Sequence, residues 1–158
     1  MFHINEYKNK IENFFEIMVD NKDIVDIKIS EEKWTLKEMI SHLIDSASNN
    51  HQRFIRLQIY KNIYFPAYDS EIWKNITKIK DFDFLDLINL WKGYNLYLLH
   101  LIGKIDDNNL NNIWKISEKE LTLQFIVNDY FGNHIDWHID LYKKGLKKLR
   151  EGLNELPY

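Results

Sequence analysis

Trp34-Thr35-Leu36-Lys37-Glu38-Met39-Ile40-Ser41-His42-Leu43-Ile44-Asp45-Ser46 reads as the opening of a long helix. Thr35 and Glu38 have the spacing of a capping box, in which the hydroxyl takes the N3 amide and the carboxylate takes the N-cap amide. Trp34 and Met39 occupy the two positions of a hydrophobic staple. Beyond the cap, Leu36, Met39, Ile40, Leu43, Ile44, Ala47, Phe54 and Ile55 recur at helical spacing, which predicts a helix over about 36–60.

Other segments carry the same period. Tyr7, Ile11, Phe14, Phe15 and Met18 predict a first helix that Asp20 and Asn21 close. The stretch 24–29 alternates like a strand, but no second strand is visible, so it reads as an extended linker. Residues 61–80 read as a loop with one helical turn. Leu85, Ile88, Trp91, Leu98, Leu99 and Ile102 predict a third helix over 84–102, stopped at Gly103. Asn95 falls inside that stripe, where a buried amide needs partners. Residues 104–120 are rich in Asp and Asn and read as loop. A last helix runs from about 122 past 142, with Leu123, Ile126, Val127, Tyr130, Trp137 and Leu141 inward. Four amphipathic helices with one long connection predict an all-α, four-helix bundle, a single domain over 1–158.

Composition agrees with helices. The 158 residues hold 45% apolar side chains but only 5 Gly and 2 Pro, too few for a fold built on tight turns. The formal charge is -3, with both signs interspersed, and no basic face suits nucleic acid. Lys143, Lys144, Lys147, Lys148 and Arg150 sit where cations complement a helix C-terminus. Cysteine is absent, which removes disulfides and a cysteine nucleophile. No apolar run is long enough for a membrane span, so the expectation is a cytoplasmic protein without membrane partners.

Chemistry concentrates in the histidines. His134 and His138 are one turn apart on one helix face, inside the apolar stripe, where both need partners. A third imidazole from another helix completes an open metal site. His42 is the candidate, on the flank that carries Asn49 and Arg53. His51 stands half a helical rotation from it and cannot share that site. His3 lies at the N-terminus, and His100 reads as an ordinary amphipathic residue. Asp136 and Asp140 form an outer acidic ridge suited to Lys143 and Lys144. Asp45, three residues after His42, could orient a ligand imidazole or act as a general base; the alternatives are a solvated charge or an ion pair with Arg53.

The 34–46 stretch resembles the W-[ST]-x-K-E-x-x-x-H-L-x-D-S signature of DinB/YfiT-like proteins. Phe65-Pro66-Ala67-Tyr68-Asp69-Ser70-Glu71-Ile72-Trp73 resembles that family's P-x-Y-D-x-x-x-W loop. Leu90-Trp91 with Asn95 resembles its third helix, and His134-Ile135-Asp136-Trp137-His138 stands where it has H-x-x-H-H. The resemblance spans about 5–150. It implies an up-down-down-up bundle, a homodimer, and a divalent ion, zinc or nickel, on His42, His134 and His138. Trp137 departs from the pattern by replacing a histidine that is not usually the ligand.

The expected function is a metal-dependent hydrolase, or a transferase using a low-molecular-weight thiol such as bacillithiol, acting on a small molecule. Asp45 is the candidate for proton transfer or ligand orientation, with Asn95 and Trp137 as pocket wall. The alternative is a non-catalytic, dimeric, stress-associated binding module whose metal is structural or absent.

Overall fold

The computed structural model describes residues 2–154. Helix α1 (Ile4–Asp20) buries Tyr7, Ile11, Phe14 and Met18, the stripe read from the sequence. Helix α2 (Leu36–Ile59) begins with the capping box: the Glu38 amide donates to the Thr35 hydroxyl at 3.1 Å and the Thr35 amide to the Glu38 carboxylate at 2.7 Å. A crossing segment follows, with strand β1 (Asn62–Tyr64) and helix α3 (Ser70–Thr77). Helix α4 (Phe84–Ile102) then buries Ile88, Trp91, Asn95, Leu98 and Leu99. After β2 (Ile113–Ile116) and β3 (Lys119–Thr122), the last helical run is α5 (Leu123–Asn128), a π-helical turn (Asp129–His134) and α6 (Ile135–Asn154).

Contacts at the two ends fix the helix directions. The Lys37 amide donates to the Val25 carbonyl at 3.1 Å, so α1 ends where α2 begins. The buried Lys37 ammonium donates to the Lys80 carbonyl at 2.7 Å, bringing the start of α4 to the same end. At the opposite end the Ile113 amide donates to the Lys61 carbonyl at 2.8 Å, so the chain leaving α4 lies beside the end of α2. Helices α2 and α4 therefore run parallel. The last run starts at that second end, and Arg150 near its finish pairs with Asp23 at 2.8 Å, back at the first. The bundle is up-down-down-up, and the parallel pair demands the long crossing segment between them.

Several expectations need correction. The 61–80 segment is more than a loop with one turn, because α3 runs over eight residues. None of them is buried, and its apolar residues Ile72, Trp73 and Ile76 span barely one turn, too short a stripe to announce the helix. The 104–120 segment contains β2 and the first half of β3, which pair antiparallel, while β1 pairs parallel with β2. Their turn carries Ser117 at φ 51°, a left-handed position without the Gly or Asn that usually signals it. Residues 24–29 are no extended linker: a 3-10 turn (Lys22–Ile24) tucks Ile24 and Val25 into the core. Leu85 is exposed.

The largest correction concerns the last helix. The π-helical turn inserts one extra residue, so the inward stripe slips by one position. Tyr130 is followed inward by Phe131, Ile135, His138, Ile139 and Tyr142, all buried. Trp137, expected inward, is 60% exposed. Asp136 pairs with Lys10 at 2.7 Å and not with the lysines of its own helix. Among the described residues, no helix is long and apolar enough to cross a membrane.

Candidate metal centre

His42 projects from the second turn of α2, and the crossing segment covers that flank. The polar flank of α2, with Asn49 and Arg53, is buried beneath it. The slip in the last helix sets His134 and His138 against His42. Ring centroids are 4.5 Å apart for His134 and His138, 4.9 Å for His42 and His138, and 6.0 Å for His42 and His134. One nitrogen from each ring can be chosen so that all three lie within 4.8 Å of one another. His51 instead faces α4, bonding Tyr94 at 3.0 Å, while His100 and His3 are exposed.

The donors fit a divalent cation. Nδ1 of both His134 and His138 is buried and has no hydrogen-bond partner among the described residues. Burial pushes His138 from 6.5 to about 3, helped by His134 and then His42, and pushes His42 to about 4, helped by His134. His134 is also lowered by burial, with Asp129 opposing. Three neutral imidazoles with lone pairs to offer are what a cation requires.

The sequence left the supporting shell incomplete. Tyr68 of the crossing segment bonds His42 Nδ1 at 3.3 Å and Ser46 Oγ at 2.7 Å. It takes the place expected for Asp45, whose carboxyl makes no hydrogen bond or ion pair among the described residues. Asp45 is half-buried, and burial pushes it up to about 6. Burial raises the Tyr68 hydroxyl, the Ser46 hydrogen bond opposes this, and the Asp45 charge adds to the rise. Asn95 is no pocket wall: it is fully buried, donates to the Trp91 carbonyl at 2.8 Å and accepts from Tyr130 Oη at 2.8 Å. The Tyr130 ring stacks on His134, centroids 5.8 Å apart, so Asn95 braces the site from behind.

A cavity of about 560 Å³ opens above the imidazoles. Trp34, Met39, Trp137 and Leu141 supply apolar walls. Trp34 meets His42 edge to face and donates its indole N–H to Glu71, which ties α3 over the rim. A solved structure of YfiT from Bacillus subtilis, described as a probable metal-dependent hydrolase with an unusual four-helix bundle topology, matches with a TM-score of 0.71. The chain has the YfiT fold. Identity to YfiT is 20%, over 96% of this chain and 83% of that one. The resemblance read from the sequence thus extends through the whole bundle. No protein-family model matches the chain, and no curated protein does.

Two outcomes follow from this geometry. Tyr68→Phe removes the group that orients His42 and is expected to weaken divalent-ion affinity about 10–100-fold with the fold intact. Titration against a chromophoric chelator measures it. Acid is expected to destabilise the metal-free protein. On unfolding, each imidazole recovers its ordinary value near 6.5 and takes up a proton below it, while in the folded chain His42 waits until about 4. Stability is therefore lost as pH falls from 6.5 toward 4. Asp45, raised from 3.8 to about 6, acts in the opposite sense over part of that window, one group against three. Tm of the chelated protein at fixed ionic strength should fall through this range, and a flat profile would contradict it.

Proposed function

We propose that the protein is a metal-dependent hydrolase of a small-molecule substrate, with one divalent ion, zinc or nickel, on His42, His134 and His138. The convergence of three neutral, half-buried to buried imidazoles at the floor of an open apolar cavity carries this reading. An ion on three uncharged donors keeps its full charge and brings the pKa of water toward about 7. Tyr68 holds His42 in one orientation. Asp45 acts beside Tyr68 as the proton acceptor, poised by its raised pKa. Trp34, Met39, Trp137 and Leu141 exclude bulk water and take the apolar part of the substrate.

The same donor set serves thiol transfer, in which the sulfur comes from a low-molecular-weight thiol such as bacillithiol because the chain has no cysteine. Homodimer assembly and a cytoplasmic location belong to the same proposal, and light scattering tests the first. The zinc- or nickel-loaded protein should be screened against esters, amides and phosphoesters, and against an electrophile with added thiol. Turnover that needs the ion and disappears in His134→Ala supports the proposal, and the class of co-substrate selects the reaction. Unfolding on chelation, with no turnover in either screen, favours the binding module.

A further inference from the structure

Behind the imidazoles lies a second, smaller cavity of about 180 Å³, and His134 forms part of its wall. Arg53 of α2 also lines it, although the residue is only 7% exposed. Its Nη1 donates to Asn50 Oδ1 at 3.2 Å, while Nε is buried with no partner among the described residues. No carboxylate of the described residues pairs with this guanidinium. Asp129 lines the same cavity, but its Oδ1 accepts from Asn133 at 3.2 Å. The guanidinium face lies 3.9 Å from the Trp114 ring centroid, which holds the plane of the fork fixed.

A buried cation with most of its donors unused is costly unless an anion meets it. A fixed guanidinium fork matches the two oxygens of a carboxylate or phosphate. Burial lowers Arg53 to about 10, which leaves it charged at neutral pH. We infer that Arg53 is the anion-binding residue of this second cavity, and that the substrate carries a carboxylate or a phosphate there. The anion site stands on Arg53 alone, whereas its assignment to substrate rests on the metal-centred reading.

The experiment uses metal-free protein, so the two readings fail separately. The Nε–H resonances of Arg53, Arg56 and Arg150 are followed in an ¹H–¹⁵N correlation spectrum during titration with inorganic phosphate and, separately, acetate. The Arg53 signal is assigned by its loss in Arg53→Lys. The expected result is a saturable shift of the Arg53 signal, with Arg56 and Arg150 unmoved. In Arg53→Lys, which keeps the charge and loses the fork, affinity followed by thermal shift should fall about tenfold or more. The tighter probe names the head group. An Arg53 signal that ignores both anions, or that moves only on Asp129→Asn, would overturn the inference. Phosphate binding at Arg53 in a protein that takes up neither zinc nor nickel would uphold the anion site and sink the metal centre.

Discussion

His138→Leu is expected to abolish divalent-ion uptake while leaving the metal-free protein as stable as before, or more so. His138 is 8% exposed, with Nδ1 buried and without a partner among the described residues. A polar group in that state costs stability, and an apolar side chain of similar size relieves the cost. The ion is what makes the imidazole worth keeping. At a free-ion level a hundredfold above Kd, binding stabilises the parent by about 2.7 kcal/mol. For a chain of this size that is a Tm rise of roughly 5–10 °C, and the variant should show none of it. Thermal melts with and without zinc or nickel measure both halves. A variant that loses stability without metal and keeps the metal-induced rise would contradict the account.

Trp91→Ala is expected to produce the largest loss of stability, about 3–5 kcal/mol. Trp91 is fully buried on α4, and its ring meets Phe14 of α1 edge to face at 5.3 Å. Phe14 in turn meets Tyr142 of α6 at 5.1 Å, so three helices share one aromatic stack. Against a typical total of about 5–15 kcal/mol, such a loss leaves a marginal fold. Urea unfolding gives the value. Trp91→Phe should lose much less, because it keeps a ring and removes an indole N–H that has no partner among the described residues. A loss under about 1 kcal/mol for the alanine variant would mean that the stack does not hold the bundle together.

Long periodic segments were legible because one stripe decides them. The cap at Thr35 and the buried faces of α1, α2 and α4 follow from residue type and spacing. The π-helical turn was not legible. Its one-residue slip leaves His134 and His138 together but turns Trp137 outward, and no residue at 129–134 announces it. Strands as short as β1, whose partner lies some fifty residues away, carry almost no local signal. Tyr68 could have been found, since it stands in a recognisable loop, but its hydroxyl reaches His42 only because the crossing segment folds back over α2. In the sequence Arg53 reads only as part of the polar flank beside His42 and as an ion-pair partner for Asp45. Its burial depends on that crossing segment and on Trp114, neither of which its own helix predicts.

The most direct test of the metal centre is metal analysis with X-ray absorption on protein loaded with zinc or nickel and then desalted. The account predicts about one ion per chain, with histidine nitrogen in the first coordination shell, and its loss in both His42→Ala and His134→Ala. An ion that stays in either variant, or a parent protein that takes up neither metal, would contradict it.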